Sequence, residues 1–357
     1  MTTEKLPAAI TKPLLDWYRA NARVLPWRDI TDPYRIWVSE IMLQQTRVAA
    51  VLGYYARFLE AFPTVEALAA ADEEQLMKRW EGLGYYSRAR NLQKAAKIVV
   101  ERGGFPDTYE GLLELPGIGD YTASAIAAAA FGRREAAVDG NVLRVVTRLT
   151  DCHEDILDAK VKKAIRAQLQ EIMPKEDADI RIFPQATMEL GATVCVPNGA
   201  PKCDICPVRE RCLARKRGTA DVLPVKKAKK ARKIEEMTVF VLLRGGETAL
   251  HKRGKAGLLA GLWEFPNVAG ALSEAEAGAA LETLELQPKV WRSRLTAKHI
   301  FTHVEWHMTG YVIEISGSGG ADWDWVDAEG LVARAVPSAF ARYYEAAAEE
   351  LKQERIP

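Results

Sequence analysis

Four cysteines, Cys195, Cys203, Cys206 and Cys212, fall within one short stretch of a 357-residue chain. The N terminus lacks a basic segment followed by an apolar core, so the expected setting is a reducing cytoplasm, where clustered thiols act as metal ligands rather than disulfides. Wrapping one centre constrains everything packed around it. The spacing is x7, x2 and x5, with Pro207 after the third cysteine. Zinc held by four thiolates is one occupant, but zinc sites usually pair Cys-x2-Cys with a second close pair, and only one close pair is present. An iron–sulfur cubane accepts the looser spacing better. Cys152 stands apart and reads as structural. Lys202, Arg209, Arg211, Arg215, Lys216 and Arg217 make the loop basic, which suits either phosphate contact or plain solvation.

Residues 6–217 carry a helical pattern, with apolar side chains at spacings of three and four, as in Ile36, Trp37, Glu40, Ile41 and Leu43. Pro and Gly punctuate about ten expected helices, and no strand is expected there. The character changes near Leu223-Pro224. Residues 225–233 are basic and of low complexity, either a solvated linker or a phosphate contact. Beyond them, 237–243 and 294–315 read as strands, and 273–284 and 338–353 as helices. Three parts are expected: an all-α domain over 1–217, a linker over 218–236, and an α+β domain over 237–357.

Hydrophobic residues make up 48% and charged residues 27% of the chain, which excludes a disordered or collagen-like polymer. The longest Ala-rich, charge-free run, 121–132, is too short to cross a bilayer, so no membrane partner is expected. The net charge of +1 argues against a nucleic-acid partner only while it is left undivided. Residues 1–233 hold 37 basic and 30 acidic side chains, a net +7, and the remainder 12 and 18, a net −6. The first part is basic enough for a polyanion.

Three further motifs carry chemistry. Leu115-Pro116-Gly117-Ile118-Gly119 separates a short helical pattern, 109–114, from the Ala-rich run. Its glycines let backbone approach another surface, and the free N–H groups of the next helix suit a phosphate. A helix–hairpin–helix over 108–132 and a plain turn are both open readings. Glu40 lies on a largely apolar helix face, where burial raises a carboxyl pKa. Asp139 precedes a helix, whose N-terminus favours the anion. Such a pair suits glycosidic chemistry, although Asp139 could be a simple cap and Glu40 could pair with Arg47 or another cation. In 82–92, Tyr85 and Tyr86 with Arg88 and Arg90 could stack on a base and hold phosphates, or could pack as core tyrosines.

In this order the motifs resemble the helix–hairpin–helix DNA glycosylases that carry a Cys-ligated 4Fe–4S cluster. In the endonuclease III branch a Lys that forms a Schiff base stands where this chain has Tyr121. The stretch from Trp37 through Glu40 to Thr46, with Leu25-Pro26-Trp27-Arg28 before it, resembles the adenine glycosylase (MutY-type) family instead. The resemblance implies a monofunctional enzyme that flips adenine out of pairs with 8-oxoguanine or guanine in double-stranded DNA and hydrolyses its glycosidic bond. It also implies a monomer with a 4Fe–4S cofactor. Glu40 is the implied general acid and Asp139 the implied stabiliser of the cationic sugar, supported by Tyr121 and Asn141. Arg28 and Gln185 are implied adenine contacts. Gln44, Gln45, Thr46, Leu83, Tyr85, Arg88, Gly117 and Gly119 are implied DNA contacts, with Gln45 and Tyr85 entering the base stack. The C-terminal part resembles a Nudix-like domain without the Arg-Glu-x-x-Glu-Glu metal pattern, so no hydrolase activity is expected of it. Phe301-Thr302-His303 is its implied 8-oxoguanine reader, with Thr where the family usually has Ser. Seven residues, rather than the commoner six, separate the first two cysteines, and a Pro-Asn-Gly turn can absorb the extra one. An endonuclease III-like lyase and a non-catalytic DNA-binding module are the rival readings.

Overall fold

Capping side chains fix where many of the helices begin. Asp32 accepts the amides of Tyr34 and Arg35 ahead of Pro33, and Asp72, Thr108, Asp139 and Asp158 do the same for later helices. The computed structural model describes residues 4–227, 231–317, 319–320 and 322–353. Its first twelve α-helices are α1 (Thr11–Asn21), α2 (Pro33–Leu43), α3 (Val48–Ala61), α4 (Val65–Ala70), α5 (Glu73–Trp80), α6 (Ser87–Glu101), α7 (Tyr109–Leu113), α8 (Asp120–Phe131), α9 (Gly140–Thr150), α10 (Ala159–Ile172), α11 (Asp177–Thr193) and α12 (Leu213–Arg217). Twelve rather than about ten arise because α4 and α12 are too short to show a period.

Two units emerge from the packing: residues 1–70 with 90–228, and residues 71–89 with 229–357. In the first, α9, α10 and α11 bury Val142, Val146, Ile165, Leu169, Phe183 and Leu190 against Leu14 and Tyr18 of α1. α8 is apolar on every side, and Thr122 to Ala130 are all buried, as expected of a helix inside a core. Gly132, in the left-handed conformation, ends it.

The second unit is built on a seven-stranded sheet. Its strands are β1 (Lys233–Arg244), β2 (Glu247–Lys252), β3 (Trp263–Glu264), β4 (Asn267–Ala269), β5 (Gln287–Ile300), β6 (Val304–Ser316) and β7 (Trp323–Val326). The order β3-β2-β1-β6-β5 has β1 and β6 parallel, with β4 pairing β1 and β7 pairing β2. The helices α13 (Glu274–Glu282), α14 (Ala328–Ala333) and α15 (Ala341–Gln353) complete the unit. Ser273 and Glu276 close a capping box on α13. Segment 71–89 joins this unit through Trp263 to Glu74 at 2.9 Å, Lys78 to the Arg334 carbonyl at 3.1 Å, and the Val336 amide to Glu81 at 3.0 Å.

Two boundaries differ from the sequence expectation. β1 begins at Lys233, inside the expected linker, because its first residues pair with β6 from Val304 onward. The start of that linker is docked on the first unit, where the Leu223 carbonyl accepts from Arg148 and the Val225 carbonyl from Ile156. Part of the basic stretch, 228–230, lies outside the described residues.

Candidate active site

α2, α8, α9 and α11 converge on a cleft of about 410 Å³, of the size of small-molecule sites. Glu40 enters it from the third turn of α2, nearly sealed from solvent at 9% exposure. Its hydrogen-bond partner is the Tyr121 hydroxyl of α8, at 2.7 Å, rather than Arg47. That hydroxyl also lies 3.2 Å from the Met188 sulfur of α11. Burial pushes the Glu40 pKa up to about 7, and the nearby Asp139 charge adds to this; the Tyr121 hydrogen bond and the Arg28 charge oppose it. The Tyr121 phenol is pushed far up by burial and by the two carboxylates.

Asp139 is the N-cap of α9 and also lines the cleft, so the cap and the site are one residue. It accepts from the Val142 amide and from the Asn141 side chain, each at 2.7 Å. Its pKa is raised by burial, against those hydrogen bonds and the Arg144 charge. The helix end thus opposes the burial penalty without cancelling it. Arg144 in turn donates to Asn141 and to the carbonyls of Gly191 and Cys195. α11 reaches Asn141 closely only because residue 191 is glycine; a Cβ there would meet the Asn141 Cβ at 2.7 Å.

Arg28 and Gln185 also line the cleft. Arg28 donates to Glu189 at 2.6 Å and to the Arg23 carbonyl at 2.8 Å, and Gln185 accepts from Tyr18 at 2.8 Å. Glu189, Arg23, Tyr18 and Met188 were not singled out in the sequence. The one available signal was Glu189, a carboxylate four residues after Gln185 in the otherwise uncharged run 182–201. At the rim stand Gln44, Gln45 and Thr46; Gln45 is exposed and left-handed, with φ 59°. A non-glycine residue held there marks a locally strained turn.

The hairpin between α7 and α8 holds Gly117 at φ 80°, tight against α6, where a Cβ would meet that of Asn91 at 2.7 Å. Gly119 caps α8. The two helices and this tight turn have the form expected of a helix–hairpin–helix.

All four clustered cysteines line one apolar cavity with Val145, Leu149, Leu190 and Val194, and none is in a disulfide. Among the described residues no three His, Cys, Asp or Glu side chains converge as they would on a single ion. Four thiols around one apolar cavity are the donor set that a cubane takes, and the x7, x2, x5 spacing offers only one close pair for zinc. Arg148 donates to the Cys195 sulfur at 3.3 Å.

In the second unit the tyrosine pair divides. Tyr85 is half exposed at φ 47°, whereas Tyr86 and Leu83 are buried. Arg88 is also buried and donates to the carbonyls of Leu83 and Gly84, each at 3.1 Å, so its guanidinium staples this loop instead of standing free for a phosphate. Phe301, Thr302 and His303 form the turn between β5 and β6, so Thr302 is not a strand residue. Thr302 and His303 are exposed, Phe301 packs edge-on against His299 and Trp306, and the Thr302 hydroxyl lies 3.1 Å from that of Tyr85.

Two family models match successive parts of the chain. Residues 38–175 match the HhH-GPD superfamily of base excision DNA repair proteins, and residues 238–346 match the NUDIX domain. The chain is 36% identical to the adenine DNA glycosylase of Homo sapiens, a match covering 85% of this chain and 66% of that protein. It is 35% identical to the enzyme of Rattus norvegicus, over 87% and 71% respectively. A solved endonuclease III trapped covalently on DNA shares 25% identity at a TM-score of 0.50, covering 59% of this chain and 95% of that one.

Proposed function

Because the chain belongs to the adenine DNA glycosylase family, we propose that it removes adenine mispaired with 8-oxoguanine or guanine in double-stranded DNA, acting as a monomer. The observation that carries this proposal is the pair formed by Glu40 and Asp139, two carboxyls of separate helices on one cleft, the first with a pKa near 7. Adenine leaves poorly as an anion. Glu40 gives its proton to the base as the bond between sugar and base breaks, so that neutral adenine departs. Asp139 stabilises the positive charge left on the sugar, held toward it by Asn141 and the Val142 amide. Water then supplies hydroxide to the sugar carbon, and its remaining proton restores the acid. Arg28 and Gln185 contact the extruded base, and Gln45 and Tyr85 enter the stack it leaves. Gln44, Thr46, Leu83, Gly117 and Gly119 lie in the segments that bear on DNA, and Phe301, Thr302 and His303 read the 8-oxoguanine.

Cys195, Cys203, Cys206 and Cys212 would hold a 4Fe–4S cluster, which would serve there as a cross-link of loop 195–212. Tyr121 in place of a Schiff-base Lys disfavours a lyase, and retention of both carboxyls disfavours a non-catalytic module.

The test is base release from duplexes carrying A:8-oxoguanine, A:guanine or an oxidised pyrimidine, scored as strand breaks with and without alkali. Alkali-dependent breaks at adenine are expected, and Glu40→Gln should nearly abolish them while duplex binding persists. Scission without alkali, or release from the oxidised pyrimidine alone, would overturn the proposal.

A further inference from the structure

Beside the two carboxyls lies a buried ion cluster. The Glu189 side chain is 1% exposed, on the same face of α11 as Gln185. It accepts from Arg23 Nε at 2.7 Å, Arg23 Nη2 at 2.7 Å and Arg28 Nη2 at 2.6 Å. Arg28 is 10% exposed and Arg23 40%. Two guanidinium groups and one carboxylate leave this trio at +1. All three line the cleft that Glu40 enters.

The groups that act on Glu40 come from every side. Tyr121 of α8 donates to it, Asp139 at the head of α9 repels its anion, and Arg28 from the loop before α2 attracts it. A free Arg28 would favour the Glu40 anion, and an anion cannot protonate a base. We propose that Glu189 is a positioning residue for the acid, fixing Arg28 and offsetting its charge so that Glu40 keeps its proton at neutral pH. Glu189 can do so steadily. Burial works against its ionised form, but the hydrogen bonds and charges of Arg23 and Arg28 hold its pKa down at about 2, so it stays charged while Glu40 titrates.

The inference rests on Glu40 being the acid, and the test separates the two. Adenine release is measured in single turnover on an A:8-oxoguanine duplex from pH 5 to 9, with melting temperature and duplex binding recorded for each variant. Glu189→Gln raises the trio to +2. Its falling alkaline limb should move to lower pH by roughly half a unit to one unit, a loss of about three- to tenfold at pH 8 with little loss at pH 5.5. Adding Arg23→Gln restores +1 and should return the limb toward that of the parent. Arg23→Gln alone, at a half-exposed site that tolerates change, should move the limb slightly upward, and it keeps the test decisive if Glu189→Gln fails to fold. Equal losses at every pH, or a limb unmoved in both Glu189→Gln and Arg23→Gln, would overturn the inference while leaving Glu40 as the acid. Full release by Glu40→Gln would remove the underlying reading instead.

Discussion

Glu40 carries a cost for the fold beside the role proposed for it. Its pKa rises from 4.5 to about 7 on burial. The folded state therefore holds a proton that the unfolded chain has lost. Relative stability from this group is fully present below about pH 4.5 and is withdrawn as pH rises through 7. The shift sets an upper bound of ~3 kcal/mol. Glu40→Gln, which needs no proton, should melt higher than the parent at pH 8, and the advantage should shrink toward pH 4.5; a gap independent of pH would show that the carboxyl is not penalised by burial. This behaviour was legible in the sequence, because a carboxyl among Ile36, Trp37 and Leu43 on one helix face must be desolvated. Asp139 was less so: its place before a helix was readable, but its burial in a cleft shared with α2, α8 and α11 depends on tertiary packing that local pattern does not show.

Elements with their own punctuation were the readable ones. α7, α8 and the hairpin between them follow from Thr108, two glycines and an alanine run. The strands β2, β3, β4 and β7 were not read, because two to six residues give too little alternation, and they are strands chiefly through pairing with β1 and with one another. The same reasoning bounds what the hairpin tolerates. Gly117→Ala would place a Cβ at left-handed φ, worth about 1–2 kcal/mol, and against Asn91 as well. Thermal melts should show that loss, and duplex affinity should fall with it, since the hairpin backbone must shift. Unchanged affinity in a destabilised variant would mean that this hairpin is not a DNA contact. Arg88 shows the limit of motif reading: an Arg beside two tyrosines suggests a phosphate grip, yet the fold turns it onto the carbonyls of its own loop.

Across the whole molecule, the packing redraws the charge division. The split at residue 233 gave +7 and −6. Counted over the two units, the first holds 30 basic and 26 acidic side chains, a net +4, and the second 19 and 22, a net −3. The sign survives, so attraction to phosphates should reside mainly in the first unit and weaken as salt rises. The smaller contrast arises because segment 71–89 and the last lysines of the basic stretch belong with the second unit, and no composition shift marks the former. Removing the C-terminal region would therefore also strip partners from Glu74, Lys78 and Glu81, and would confound loss of recognition with loss of fold. A single hydroxyl makes the sharper test. Thr302 stands exposed in the turn between β5 and β6, where its side chain bears little on the core. Thr302→Val keeps its shape and removes its hydrogen-bonding capacity, worth ~1 kcal/mol, or about fivefold. Release from A:8-oxoguanine should fall by about that factor, while release from A:guanine and the melting temperature stay unchanged, so the preference between the two substrates narrows. Equal losses on both duplexes would assign Thr302 to general duplex contact rather than to reading the damaged base.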